Sequence, residues 1–129
     1  GYQPESAPQA VLQFIQQKYP QANIVEIDQD KGLLKIDIID QQIMKEVVFN
    51  HQNQWVVTTW EVPHNNVPAN VINVLKTSSY ANYRIDDMDY EERADGSLVY
   101  IFEVKQGNRE FDVTIDANHL KIISATPQN

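Results

Sequence analysis

Two stretches of the chain carry the same spacing of apolar positions. Pro8 precedes Val11, Leu12, Phe14 and Ile15, and Pro68 precedes Val71, Ile72, Val74 and Leu75. Steps of three and four residues place such side chains on one face of a helix. Proline suits the start of a helix, where its missing N–H costs nothing. The spacing therefore predicts two helices, each running from its proline to a tyrosine, Tyr19 before Pro20 and Tyr80 before Ala81.

After each helix the period changes to two. Leu34, Ile36 and Ile38 alternate, followed by Val47 and Phe49. Tyr100, Phe102 and Val104 alternate in the same way, followed by Val113 and Ile115. Each residue of the second set stands 66 positions after its counterpart in the first. Alternation at period two marks a half-buried strand, and matched spacing over ten positions marks an internal repeat. Four strands are expected in each copy: 23–28, 33–39, 43–50 and 55–62, then 84–91, 97–105, 109–116 and 120–125. Short polar turns between them imply antiparallel hairpins.

The expected fold is α+β, a tandem duplication of an α-β4 unit, with antiparallel sheets whose helices pack on one face. Residues 1–7 read as a flexible lead-in, 8–62 as the first repeat, 63–67 as a linker and 68–129 as the second repeat. Val11, Ile15, Val71 and Leu75 are expected to share the core with Phe49, Phe102 and Ile115.

The residues in the turns and cores resemble a known family. The run Tyr19-Pro20-Gln21-Ala22-Asn23-Ile24, and the later run Val47-Val48-Phe49-Asn50-His51-Gln52-Asn53-Gln54-Trp55, resemble the PepSY-like proteins exported by Bacteroides-type bacteria. The second copy carries the latter pattern as Val113-Thr114-Ile115-Asp116-Ala117-Asn118-His119-Leu120. Asn50 stands where that family has aspartate, and Asn53 and His119 stand where it has a turn glycine. Asn tolerates the left-handed backbone such a turn requires, and His does so less readily. The resemblance implies a fold similar to the β-lactamase inhibitor protein, a periplasmic or cell-envelope location, and a protein-binding, protease-inhibitory type of role.

Composition narrows the chemistry. Ten Lys and Arg residues against eighteen Asp and Glu give a net charge of −8. Without a basic cluster the chain lacks the face that nucleic acid or an anionic membrane requires. The absence of cysteine removes disulfides, thiolate catalysis and cysteine-ligated zinc. His51, His64 and His119 have no partner at metal-ligand spacing. No serine lies in a nucleophile elbow, and four glycines cannot build a phosphate loop. The acidic run Asp86, Asp87, Asp89, Glu91, Glu92 and Asp95 does not fit a calcium loop, and Arg84 and Arg93 bracket it. No catalytic residue, metal ligand or cofactor is expected. The sequence reads as a non-catalytic exported binding module, with inhibition of a secreted enzyme as one form of that role. The alternative is a periplasmic protein that binds or senses a small ligand or ion.

The parity of the strands nominates a surface. With Val47 and Phe49 under the helix, Leu33, Lys35, Asp37 and Glu46 point the other way, as do Ile101 and Glu103. Trp55 and Trp60 differ by an odd number, so a regular strand sends one to each face. Trp60 shares its side with Val56 and Val62, which predicts Trp60 inward and Trp55 outward; a bulge would reverse this. Exposed aromatics beside mixed charge favour a protein interface. The other reading of this face is that the protein's own other half covers it.

Overall fold

A computed structural model describes residues 7–128 of the chain. It contains helix α1 (Gln9–Lys18), strands β1 (Asn23–Asp30), β2 (Leu33–Asp40), β3 (Ile43–Phe49) and β4 (Trp55–Glu61), and a single 3-10 turn at His64–Asn66. Helix α2 (Ala69–Lys76) follows, then β5 (Arg84–Arg93), β6 (Leu98–Gln106), β7 (Arg109–Asp116) and β8 (Lys121–Pro127). The eight strands form one antiparallel sheet in sequence order. This overturns the expected tandem of α-β4 units with helices packed on one face of their sheets. One continuous sheet dominates, and the helices have only ten and eight residues. The sequence concealed this because residues 63–67 read as a linker between two copies. Instead Val62, directly after β4, donates its N–H to the Met88 carbonyl of β5 at 2.9 Å.

Compactness divides the chain at a different place, into residues 1–60 and 61–129. The lead-in expected over residues 1–7 lies outside the described residues except for Ala7, which is buried.

Both helices begin as their prolines suggest. The Pro8 carbonyl accepts the N–H groups of Val11 and Leu12 at 3.1 and 3.2 Å, and the Pro68 carbonyl accepts those of Val71 and Ile72 at 3.0 and 3.2 Å. Helix α1 stops where Pro20 cannot continue it. Helix α2 stops earlier than Tyr80. The Thr77 hydroxyl donates to the Asn73 carbonyl at 2.8 Å and the Ser78 hydroxyl to the Leu75 carbonyl at 2.6 Å, which satisfies carbonyls that a longer helix would have used.

In the first unit Val11, Ile15 and Tyr19 form one buried cluster with Leu34, Ile36, Ile38, Val47 and Phe49. In the second, Val71, Ile72 and Leu75 are buried, as are Phe102, Val104, Val113 and Ile115. Strands β2 and β3 pair Ile36 with Val47, and β6 and β7 pair Phe102 with Val113.

The turns set the register. Lys31 and Gly32 both have positive φ, 54° and 82°, as a two-residue hairpin requires. Asn53 takes the left-handed conformation at φ 62°, the role a glycine would fill. His119 does not. The left-handed residue of the last turn is Leu120, at φ 55°, so β8 begins at Lys121 and runs to Pro127. Proline is tolerated there because β8 ends the strand order.

Candidate functional site

The nominated residues fall into two groups. Trp55 does not lie on the face opposite the helix. It pairs with Phe49 across β3 and β4, and the register slips between Val48 and Phe49. The extra residue in β4 is Val56, which is exposed. This bulge turns Trp55 back toward α1. Its ring lies 5.2 Å from that of Phe14, and Phe14 meets Phe49 edge-on at 5.6 Å. The indole N–H donates to the hydroxyl of Thr58, a fully buried residue, at 3.0 Å, and Lys18 Nζ sits 4.8 Å above the ring. Trp60 also meets groups of the helix side. Lys45 Nζ lies 4.2 Å over its ring and 5.1 Å over that of Tyr19, a member of the α1 core. Lys45 itself pairs with Asp40 at 3.0 Å, with both side chains largely shielded. Neither tryptophan marks the opposite face. Parity failed here because one inserted residue reverses every side chain beyond it.

Leu33, Lys35, Asp37 and Glu46 do project from the face opposite the Ile36–Phe49 core, and all four are half-buried. In the second unit Ile101 and Glu103 project from the face opposite Phe102 and are likewise half-buried. The helix side of that unit is marked by Tyr80, just past α2, whose ring packs on Phe111 at 5.3 Å.

Several rows of side chains cross each helix-free face, and in the second unit one of them is Arg84, Lys105 and Glu110. In the first unit Glu26, Asp37, Glu46 and Thr59 stand opposite one another across β1 to β4. The neighbouring row is Asp28, Lys35, Val48 and Val57. In the second unit the corresponding rows are Asp87, Glu103, Asp112 and Thr126, and then Asp89, Ile101, Thr114 and Ser124. Bulges after Ile24 in β1 and after Ile85 in β5 bring the carboxylates into line. Strict alternation alone would divide the acidic run between the two faces. The bulge explains which members gather: Asp87, Asp89 and Glu91 align with β6, while Asp86 is the extra residue.

The arginines neutralise only part of this run. Arg84 Nε bonds Asp86 at 2.6 Å and Arg93 Nε bonds Glu91 at 3.0 Å. Among the described residues no basic side chain forms an ion pair with Asp87, Asp89, Glu103 or Asp112. Asp89 holds its proton up to about pH 6, first through partial burial and then through repulsion from Asp87, Glu61, Glu91 and Asp112. Glu103 and Asp112 are raised by partial burial and then by Glu110, with Asp87 contributing to both. Asp116 moves the opposite way. The backbone N–H of His119 bonds it at 2.7 Å and that of Asn118 at 2.9 Å, so its carboxylate is favoured.

Other features offer less. A hollow of about 180 Å³ is lined by Gln29, Gly32, Leu34, Asn50 and His51, and one of about 330 Å³ by His64, Val67, Ile72, Asn73 and Lys76. Among the described residues no three His, Asp or Glu side chains gather as a metal centre. No described helix is long and apolar enough to cross a membrane.

Comparisons with known proteins give these surfaces a setting. No curated protein matches the chain. Among solved structures, a BLIP-like protein from Bacteroides fragilis superimposes with a TM-score of 0.84 at 26% identity, over 98% of this chain and 89% of that one. A DUF2874 family protein from Bacteroides ovatus gives a TM-score of 0.80 at 23% identity with the same coverages. A protein from Bacteroides eggerthii described as "putative periplasmic" gives 0.74 at 19% identity, over 98% and 90%. The family described as "Putative beta-lactamase-inhibitor-like, PepSY-like" matches residues 3–45 and 35–123, nearly the full length, and the chain belongs to that PepSY-like family.

Proposed function

We propose that the protein is a non-catalytic binding module of the cell envelope, and that the helix-free faces of its sheet receive a protein partner. The observation that carries this reading is the character of those faces. Leu33 and Ile101 stand among Lys35, Asp37, Glu46 and Glu103, all half-buried, where a purely solvated sheet face would be polar. Interfaces combine apolar contact with charge in this manner. The partner class best supported is a secreted enzyme that the module inhibits, in keeping with the BLIP-like description of the Bacteroides fragilis relative. An exported location agrees with the periplasmic description of the Bacteroides eggerthii protein. The alternative of a small-ligand or ion carrier has no comparable observation behind it.

Site-specific photo-crosslinking tests this. A benzophenone side chain at position 46 or 103 is expected to capture a stoichiometric protein partner from envelope extract. The same probe at Gln13, exposed on α1, is expected not to. Capture from position 13 but not from 46 or 103 would move binding to the helix side and defeat the proposal.

A further inference from the structure

The two units share one register where their second and third strands meet in a turn, and they fill it differently. Ile39 of β2 stands opposite Asn23 of β1 and Met44 of β3. In the second unit Lys105 holds that place, opposite Arg84 and Glu110. The extra residue of the β1 bulge is Val25, and that of the β5 bulge is Asp86, which bonds Arg84 at 2.6 Å. Ile43, which opens β3, corresponds to Arg109, which opens β7. Each of these places is charged in the second unit and uncharged in the first. A charged set is the ordinary way for a sheet end to meet water. The first unit instead leaves Val25 (45%), Ile39 (40%), Ile43 (42%) and Met44 (52%) exposed. They are four of the seven large apolar side chains that the described residues leave exposed.

The turn between β2 and β3 sets this end apart as well. Gln41 and Gln42 both have positive φ, 53° and 73°, with no glycine to relieve them, whereas the matching turn places Gly107 at φ 61°. Side chains such as glutamine enter that region at a cost. The Gln41 side-chain amide donates to that of Gln21 at 2.7 Å, which ties the turn to the residues before β1. The hairpin end is thus held in one shape. Single apolar residues scattered over a surface are ordinary, but a group of them gathered in one place marks a contact site.

We infer that Val25, Ile39, Ile43 and Met44 form the apolar anchor site for a protein partner, and that they receive an uncharged apolar segment of it followed by a basic residue. This deepens the binding reading given above and rests on it. Ile39 and Met44 lie on the helix-free face, in line with Asp37 on β2 and Glu46 on β3. Covering this patch takes no charge out of water, whereas covering the matching end of the second unit would desolvate several. The partner's basic residue follows from the next row, Glu26, Asp37 and Glu46, because Lys35 beyond it is held by Asp30 at 3.3 Å. A second copy of the chain fits poorly, since it would bring a net charge of −8 against the same charge. Four half-exposed side chains also offer only a few hundred Å², against the roughly 800 Å² that each partner gives to a standard interface. The patch therefore serves as the apolar core of a larger contact, whose charged rim is the face already described.

A phage-displayed random dodecapeptide library, panned on the folded protein, supplies the probe. Enriched peptides are expected to carry adjacent apolar residues followed by lysine or arginine. They are synthesised with fluorescein and titrated by anisotropy. The double variant Ile39→Lys, Met44→Glu transplants the second unit's pair without changing net charge, and is expected to weaken binding at least tenfold. Met44→Gln alone, at a position outside the buried core, is expected to weaken it at least threefold. The reciprocal double variant, Lys105→Ile, Glu110→Met, is expected to leave affinity at the first unit within twofold. Near-UV circular dichroism checks that each variant is folded. Failure to enrich apolar peptides, or equal binding by the unaltered protein and the Ile39→Lys, Met44→Glu variant, would overturn the inference. A dimer in sedimentation that this variant dissociates would put a second copy on the patch and overturn it as well. So would binding to phosphatidylcholine vesicles that the variant loses. Peptides indifferent to the variant that crosslink to a benzophenone at position 46 or 103 would defeat this inference and leave the binding reading standing.

Discussion

Asp28 and Asp89 hold equivalent places on the helix-free faces of the two units, each in the third register pair beyond a β-bulge. Asp28 looks across at Lys35, and Asp89 looks across at Ile101. The first unit has its lysine on one side of the acidic row and the second has Arg84 and Lys105 on the other side of its own. Asp89 has its pKa raised to about 6, first by partial burial and then by the carboxylates around it. The backbone ladder is much the same around both. Sheet geometry therefore sets where carboxylates meet, and the cross-strand neighbour sets what each of them faces.

The largest expected effects test whether the two cores are as alike as their registers. Phe49 and Phe102 are both fully buried. Truncation of either to alanine should cost about 3–5 kcal/mol in urea unfolding. A loss below about 1 kcal/mol at one of them would show that its unit is loosely packed and not comparable with the other.

Trp55 comes next, because only the first unit places a tryptophan against its helix. Trp55→Ala should destabilise by about 2–3 kcal/mol, since it removes packing on Phe14 and strips Thr58 of its partner. A change within about 0.5 kcal/mol would return Trp55 to the surface, where sequence parity had placed it.

Asp89 should show a smaller effect of opposite sign. Its folded pKa of about 6 lies above the usual carboxylate value, so the stability it contributes is present at low pH and is lost as pH rises through 6. Asp89→Asn should therefore stabilise the protein at pH 8, by about 1 kcal/mol once solvent screening of this partly exposed group is allowed for, and should change little at pH 4. The groups facing Asp89 are Asp87 and Glu91 on its own strand, Glu61 on β4 and Asp112 on β7. Asp28→Asn, which removes a carboxylate facing a lysine, should bring no such gain. Thermal melts of the two variants and the unaltered protein at pH 4 and pH 8 check both statements. A gain from Asp28→Asn equal to that from Asp89→Asn would erase the distinction between the rows.

The smallest change concerns Lys35. The Lys35–Asp30 pair is partly solvated, so Lys35→Met should cost no more than about 0.5 kcal/mol in thermal unfolding. A larger loss would mean that Lys35 holds its row together far more strongly than a surface ion pair can.

Much of the architecture could be read from local pattern. The two helices, the eight strands and the apolar residues buried beneath the helices follow from periods of 3.6 and 2, whereas Val48 and Val99 are buried on the opposite face. The prolines at positions 8 and 68 open the helices because a carbonyl at that point can start the ladder while the missing N–H is not needed. Leu33, Lys35, Asp37, Glu46, Ile101 and Glu103 lie on the faces that alternation assigned them, because β2, β3 and β6 run without interruption through those positions.

What the sequence by itself determined was the alternation within each regular strand and the composition of its two sides: apolar inward, mixed and acidic outward. Tertiary structure alone decided three further points. It set all eight strands in one sheet order, which no local period records. It inserted bulges in β1, β4 and β5, which turned Trp55 onto its helix and brought Asp87 into line with Glu103 and Asp112. It also shifted the left-handed residue of the last turn from His119 to Leu120. The physical reason is common to all three. Side-chain direction along a strand has a period of two residues, so one extra residue or one long-range pairing redirects everything beyond it without altering the composition on which a sequence reading depends.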